Sequence, residues 1–383
     1  MTGSLQMKNG KFYMVLNVQE NGKRKMKWIS TGLVVKGNKR KAEQMLRETL
    51  QTYEIQQSGP KCDMLFSDYI QKWLEYVQRK VDEVTYQGYE LLAQRQIIPW
   101  FKAKGTKLED VTLPLLQEYI DEKATRGRVD GKGGLSPRSL RLHKNVIFQS
   151  LTEAVKDGLL PNNPCQYVVL PKNVRYESHF YTVEQLNQFF EAIKDEPLYP
   201  LLKITAIYGL RRSEVLGLKW DSIDFDAGTV TIRHTVSKVT KAVEKDKTKN
   251  ATSYRSFPLT NEARSIFQAA KTEEQKNRRL FGKEYQESDY VFKWPDGHSY
   301  SPDYITEKFP ALLRKHGMPH IRLHELRHSC ASLLINAGFT LKDVQEWMGH
   351  ADIKMTANIY GHLDVSRKQS MAAKLSGDLS AQC

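Results

Sequence analysis

The apolar residues at the start of the chain form two short runs on either side of a turn. The turn Glu20–Asn21–Gly22 is flanked by KFYMVLNV and KRKMKWIST, and Asn-Gly is a preferred pair at the tip of a β-hairpin. A helical pattern follows from about Asn38 to Gln57. Residues 1–59 are therefore predicted to form a domain made of a small β-sheet and a helix.

A second segment, residues 63–170, follows a linker at Ser58–Pro60 and shows helical patterns without strand patterns. Its last helix has a specific start signal, because Ser136 suits the N-cap and Pro137 suits the first helical position. The segment ends near the Pro-rich run 160–171. It is predicted to be a helical domain with helices at Leu65–Arg79, Val84–Phe101, Leu113–Thr125 and from Ser136 onward.

The third segment, residues 175–383, is the largest and mixes helical patterns with short strand patterns. Thr182 and Gln185 form a capping box that opens a helix running to about Ile193. Strand patterns cover Thr229–Thr235 and Ser253–Leu259. The predicted fold class is thus multidomain and mainly α with small β elements, and the last domain is α+β.

The charge of the chain indicates a polyanionic partner. The formal net charge is +14, the sequence pI is about 9.4, and 40% of the residues are hydrophobic, which is enough for packed cores. Such a balance favours nucleic acid or an anionic membrane surface. No stretch reaches the roughly 18–20 apolar residues of a membrane span, and the N-terminus shows no leader pattern. Nucleic acid is therefore the expected partner.

The four cysteines, at positions 62, 165, 330 and 383, lie far apart and form no CxxC pair. This spacing favours neither a disulfide framework nor a zinc site. We expect a soluble protein of a reducing cytosol.

Two basic groups are candidates for contact with DNA. The first lies on the second strand of the predicted hairpin, and the second recurs every three residues along the helix that opens at Ser136. A charged stripe is often only a solvated face, but a two-stranded ribbon can enter a DNA groove, and the helix has a separate apolar side. The candidates are Lys23, Arg24, Lys25 and Lys27 in the first group and Arg138, Arg141 and Lys144 in the second.

Breaking a phosphodiester needs a nucleophile, a stabiliser for the non-bridging oxygens and a proton for the leaving oxygen. We find no acidic cluster of the kind that holds magnesium, no HExxH and no GxxxxGK[ST] loop in the sequence. We therefore expect no metal and no nucleotide cofactor. Such a site would use arginine, lysine, histidine and a covalent nucleophile.

These residue types occur in order near the end of the chain. Arg211 follows Gly209 at the start of a predicted helix, where free N–H groups favour an anion. His324 and Arg327 are three residues apart on one helix, and His350 follows a helix capped by Thr340 and Asp343. Tyr360 comes ten residues after His350.

The order and spacing of these residues resemble the tyrosine recombinase, or phage integrase, family. The family phrases G-L-R-x-S-E, H-x-L-R-H and G-H-x5-T-x3-Y are matched by Gly209–Glu214, His324–His328 and Gly349–Tyr360. The match covers roughly residues 181–363. The two preceding segments resemble the arm-binding and core-binding domains of integrases from temperate phages and conjugative transposons.

The resemblance implies a role for each matched residue. Tyr360 attacks phosphorus to give a 3′-phosphotyrosine, Arg211 and Arg327 bind the non-bridging oxygens, and His324 and His350 orient the nucleophile and move protons. A lysine in a β-hairpin turn protonates the leaving 5′-oxygen. Lys247 is the better match for it, and Lys249 is the alternative. His328 and His362 are given supporting or structural roles.

The resemblance also implies double-stranded DNA with core and arm sites as substrate, assembly into dimers and tetramers on DNA, and an accessory DNA-bending or excision factor. The tail Leu363–Cys383 is either frayed or a helix, around Ser366–Leu375, that docks on a neighbouring protomer. Two other functions stay open: a type IB topoisomerase, which shares the nucleophile, and a DNA-binding protein without catalysis.

Overall fold

The computed structural model describes residues 2–20, 23–58, 63–172, 179–238, 242–245, 254–360 and 376. The chain divides into two compact units, Met1–Val174 and Arg175–Cys383. The second unit begins at the residue where the third domain is predicted to begin. The boundary between the first two predicted domains lies inside the first unit and stays a prediction.

The first unit begins with a three-stranded antiparallel sheet in the order β1 (Thr2–Lys8), β2 (Lys11–Glu20) and β3 (Lys23–Val34). The predicted hairpin is β2–β3, whose Asn-Gly tip lies outside the described residues. Strand β1 was not predicted. Helix α1 (Lys39–Ser58) covers the face that carries Met14 and the fully buried Leu16.

The helical part of this unit holds the predicted helices, with one difference. The stretch predicted as one helix over Val84–Phe101 contains a π-helical turn at Ala93–Ile97. Pro99 lies two residues after this turn and has no N–H to donate to the carbonyl four residues before it, so the helix widens there. The helices are α2 (Phe66–Gln78), α3 (Glu83–Leu92), α4 (Ile98–Ala103), α5 (Leu113–Arg126) and α6 (Pro137–Lys156).

The start signals read from the sequence form as predicted. The Ser136 hydroxyl accepts the N–H of Ser139 at the start of α6. In the second unit, Thr182 and Gln185 make a reciprocal capping box. Both signals depend on residues within one turn of each other, which is why the sequence alone reveals them.

Within its described residues, the second unit is mainly helical and contains two small antiparallel sheets, one of order β4-β5-β8 and one of β6-β7. Its helices are α7 (Val183–Ala192), α8 (Tyr199–Tyr208), α9 (Arg212–Leu216), α10 (Asn261–Phe281), α11 (Pro302–Lys315), α12 (Leu323–Asn336), α13 (Leu341–Met348) and α14 (Ile353–Tyr360). Its strands are β4 (Ile223–Asp224), β5 (Thr229–Ile232), β6 (Thr235–Lys238), β7 (Ala242–Lys245) and β8 (Arg255–Pro258). The predicted fold class is confirmed.

The strand predicted over Thr229–Thr235 is broken after Ile232, and its two parts join different sheets. Gly217, which ends α9, packs against this break. A Cβ at Gly217 would lie 2.6 Å from the carbonyl oxygen of His234, so a side chain there would collide with the backbone. The close approach places the short helix α9 beside β6.

The core of the second unit gathers aromatic and aliphatic side chains from helices and strands, including the fully buried Tyr208, Phe309 and Leu326. This packing joins α8, which ends just before Arg211, to α12, which carries His324 and Arg327. In the part of the chain that the structure describes, no helix is both long and apolar enough to cross a membrane.

Candidate active site

Arg211 lies between two helices of the second unit. Helix α8 ends at Gly209, which adopts a left-handed conformation with φ 60°, and Arg211 is the N-cap of α9. A Cβ at Gly209 would lie 2.6 Å from the sulfur of Met348. Glycine therefore serves both the turn and the close contact with α13.

The start of α9 differs from the expectation of free N–H groups. The backbone N–H of Arg211 donates to Oε2 of Glu214 at 2.9 Å, and the Arg211 Nη1 donates to Oε1 of the same carboxylate at 2.6 Å. The carboxylate of Glu214 is thus an anion that the protein itself supplies at the start of α9. Glu214 satisfies the N–H and fixes the guanidinium at the same time.

Glu214 is buried and binds a second arginine, Arg255 of β8. Arg255 donates from Nη1 to Oε1 at 3.2 Å and from Nη2 to Oε2 at 2.9 Å, and Nη1 of Arg327 lies 3.9 Å from Oε2. Burial alone would raise the pKa of Glu214, but Arg255, Arg211 and Arg327 outweigh it and lower the pKa to about 2. We call Arg211, Arg255 and Arg327 around Glu214 the arginine cluster.

Arg327 of α12 is fully buried and binds two backbone carbonyls. Its Nη1 donates to the Gly209 oxygen at 2.6 Å, and its Nη2 donates to the Met348 oxygen. Its Nε has no hydrogen-bond partner among the described residues. Burial, and then the charge of Arg211, lower its pKa to about 9, so Arg327 stays charged at neutral pH.

Three successive carbonyls at the end of α13 each accept a hydrogen bond from a different arginine. The Trp347 oxygen accepts from Nε of Arg255 at 3.0 Å, and the Met348 oxygen accepts from Arg327. The Gly349 oxygen accepts from Nη2 of Arg211 at 2.7 Å. The last carbonyls of a helix carry partial negative charge and have no partner within it, so guanidinium groups suit this position.

His350 follows this helix end and is nearly buried. Its Nδ1 lies 2.9 Å from Oγ1 of Thr356, a fully buried residue of α14. The capping box of Thr340 and Asp343 opens α13 as predicted. Burial, followed by the charges of Arg327 and Arg211, lowers the pKa of His350 to about 3, so the imidazole is neutral at pH 7.

His324 lies one turn before Arg327 on α12, and its ring centroid is 4.7 Å from that of His328. The residue is exposed at the surface, although its ring packs against that of His328 and is partly desolvated there. This desolvation, followed by His328 and then Arg327, lowers the pKa of His324 to about 4. Both predicted catalytic histidines are thus neutral at pH 7.

Tyr360 is the last residue of α14, four residues after Thr356, and its side chain lies outside the described part of the structure. Lys247 and Lys249 fall between β7 and β8, in residues 246–253, which are also outside it. The same holds for His362 and for the predicted tail helix. The structure therefore brings together Arg211, His324, Arg327 and His350, and leaves the placement of the other candidates as predictions.

The structure describes the side chains of some of the predicted DNA-contact residues but not of others. Lys25 and Lys27 are exposed on β3, whereas the side chains of Lys23 and Arg24 lie outside the described part. Arg138 and Arg141 are exposed near the start of α6. Lys144 is half-buried and donates to the Val168 carbonyl at 2.7 Å, so it also has a structural contact.

Sequence reasoning missed Glu214 and Arg255 as members of the site. Glu214 stands in the matched phrase G-L-R-x-S-E, three residues after Arg211, and this was a signal for it. Arg255 is 41 residues further along the chain. Only the tertiary structure shows that it binds the same carboxylate.

Comparison with known proteins decides the family. Residues 179–367 match the phage integrase family, and residues 65–124 match the phage integrase N-terminal SAM-like domain. A XerC tyrosine recombinase of Xylella fastidiosa is 30% identical over 65% of this chain and 76% of its own length. The chain belongs to the phage integrase family of tyrosine recombinases.

Other recombinases are similar over different parts of the chain. The XerC-like tyrosine recombinase of Caldanaerobacter subterraneus is 27% identical over 97% of this chain and 98% of its own length. The ICEBs1 integrase of Bacillus subtilis is 27% identical over 63% of this chain and 66% of its own length. The predicted family is confirmed, and these relatives do not favour a topoisomerase.

The fold of this recombinase is shared with solved integrases. The integrase of transposon Tn1549, solved with a circular-intermediate DNA, has a TM-score of 0.65 and 22% identity over 82% of this chain and 99% of that one. A lambda integrase dimer bound to a core site has a TM-score of 0.57 and 15% identity over 93% of both chains. The lambda match extends the shared fold to most of the present chain.

Proposed function

We propose that this tyrosine recombinase integrates and excises a mobile element by site-specific cutting and rejoining of DNA through a 3′-phosphotyrosine at Tyr360. The observation that carries the proposal is the arginine cluster. Three guanidinium groups surround one carboxylate there, so positive charge remains for a phosphodiester. Among the three, Arg211 has the most accessible side chain, at 29%.

In the proposed reaction the Tyr360 oxygen forms a bond to phosphorus, and the bond from phosphorus to the 5′-oxygen breaks. Arg211 and Arg327 stabilise the charge on the non-bridging oxygens. A neutral His350 or His324 can accept the tyrosine proton, which their low pKa values permit at pH 7. Lys247, or Lys249 in its place, gives a proton to the leaving 5′-oxygen.

We assign a part of the DNA to each segment. Residues 175–383 carry the chemistry, residues 63–170 bind the core site through Arg138 and Arg141, and residues 1–59 bind a distant arm site. The sheet face opposite α1 supports the last assignment, because it carries the exposed Trp28 and Lys8 together with Tyr13. Lys8 Nζ lies 5.9 Å from the centroid of the Trp28 ring, and Trp28 is 48% exposed.

The Tn1549 and ICEBs1 relatives support a mobile element as the source of this enzyme. We further propose that protomers assemble as dimers and tetramers on DNA, with the tail Leu363–Cys383 docking on a neighbour, and that an accessory factor bends DNA or directs excision. Because the named relatives are bacterial, we place the protein in the bacterial cytoplasm on DNA.

The proposal is tested with Tyr360→Phe on a core duplex that carries a nick beside the cleavage position. Wild type should accumulate a covalent protein–DNA adduct, because the short fragment that carries the free 5′-hydroxyl diffuses away and cannot be rejoined. The variant should form no adduct while its affinity in a gel shift stays within about threefold of wild type. Adduct formation by Tyr360→Phe would move the nucleophile to another residue.

A further inference from the structure

Arg255 lies at the start of β8 and is held inward by several groups. It makes two hydrogen bonds to Glu214 and one to the carbonyl oxygen of Trp347, and its guanidinium carbon lies 5.2 Å from the centroid of the Phe257 ring. Its side chain is 8% exposed, compared with 29% for Arg211. Each of its three nitrogens already donates to the protein, Nε to Trp347 and both Nη atoms to Glu214.

The two partners of Arg255 belong to different elements, Glu214 to α9 and Trp347 to the last turn of α13. Glu214 holds both the backbone and the guanidinium of Arg211. The Trp347 carbonyl belongs to the last turn of α13, just before Gly349 and His350. Arg255 thus joins the element that fixes Arg211 to the element that presents His350.

We propose that Arg255 is a positioning residue for DNA cleavage, holding Glu214 and the end of α13 so that Arg211 and His350 face the scissile phosphate. This inference rests on the proposed function. A planar guanidinium can bind both carboxylate oxygens and one carbonyl at once, whereas an ammonium group cannot match that geometry. Arginine at this position is therefore not interchangeable with lysine.

The experiment compares Arg255→Met, Arg255→Lys and the control Arg264→Met in the full-length protein. Arg264 of α10 also donates to a backbone carbonyl, that of Phe225, and also lies near an aromatic ring, but the structure records no bond from it to Glu214. Each variant is assayed for affinity to a core duplex and for adduct formation on the nicked duplex across a pH series.

We expect Arg255→Met to bind core DNA within about threefold of wild type and to cleave about 100-fold more slowly, as for other small displacements of reacting groups. Arg255→Lys should recover part of the rate. Without Arg255, the charged groups that still face Glu214 are Arg211 before α9 and Arg327 on α12. Glu214 should then take up a proton at higher pH. As the pH is lowered, the cleavage rate of the variant should therefore begin to fall at a higher pH than that of wild type.

Cleavage by Arg255→Met at the rate and with the pH profile of Arg264→Met would overturn the inference. If Arg255→Met does not fold, Arg255→Lys carries the test, and a wild-type rate and profile for that variant would overturn it as well. Tyr360→Phe and Arg211→Lys are run on the same duplex. Wild-type cleavage by those two variants would contradict the proposed function itself, which keeps the two failures distinct.

Discussion

Glu214→Gln removes the carboxylate charge from the arginine cluster and keeps the size of the side chain. The pKa of Glu214 falls from an ordinary 4.5 to about 2 in the folded protein. At about 1.4 kcal/mol per pKa unit, this lowering corresponds to about 3 kcal/mol of stability at pH 7. Removing one partner of a buried ion pair costs about 3–5 kcal/mol, which agrees with that magnitude.

The assay is urea unfolding of the full-length protein, followed by tryptophan fluorescence at several pH values. Because the folded pKa is the lower one, the stabilisation is complete above pH 4.5 and is lost as the pH falls from 4.5 toward about 2. The free energy of unfolding of Glu214→Gln should therefore lie about 3 kcal/mol below wild type at pH 7, and the two should converge in acid.

Glu273→Gln is the matched control, since Glu273 pairs with Lys276 at 3.3 Å on the exposed face of α10. A surface pair of this kind contributes about 1 kcal/mol at most. A difference between wild type and Glu214→Gln that stays constant from neutral pH into acid would refute charge as its cause. A difference no larger than that of the control would refute the role of the cluster in stability.

Three further predictions concern DNA. Arg211→Lys should bind a core duplex nearly as well as wild type but cleave it about 100-fold more slowly, because a point charge cannot replace a bidentate fork; a wild-type rate of adduct formation would contradict this. Cleavage of a short duplex should survive EDTA, since arginines supply the positive charge at the phosphate, and a strict magnesium requirement would be the contrary result. Removing residues 1–59 should weaken gel shifts on arm-type DNA and flatten their salt dependence, while adduct formation on a core duplex persists; loss of core cleavage with unchanged arm binding would show that this segment is not an arm-binding module.

The sequence predicted best those features that depend on neighbouring residues. The caps at Ser136 and Thr182 and the alternation of helical patterns are local. The helices with predicted bounds, up to about Ile193, therefore form with small differences at their ends, apart from the interruption of Val84–Phe101. Strand β1 was missed because its pairing with β2 is decided by the tertiary fold. The π-helical turn was missed because Pro99 alters hydrogen bonding without interrupting the apolar pattern.

The candidate site shows the same division. Arg211, His324, Arg327 and His350 are predicted from the spacing of motifs along the chain, and the structure brings them together. The contacts of Arg255 could not be found in this way, because its partners Glu214 and Trp347 lie 41 and 92 residues away. Burial was equally invisible in the sequence: Arg327 is fully enclosed although it lies only three positions after the exposed His324.

The three arginines that bind the end of α13 have a consequence for the entropy of substrate binding. A free arginine side chain has about 2 kcal/mol of rotamer entropy to lose when it is ordered. The carbonyls of Trp347, Met348 and Gly349 have already restricted all three side chains before DNA arrives. The cost of ordering them belongs to folding, so Arg211 and Arg327, which we propose for the scissile phosphate, are preorganised before DNA binds.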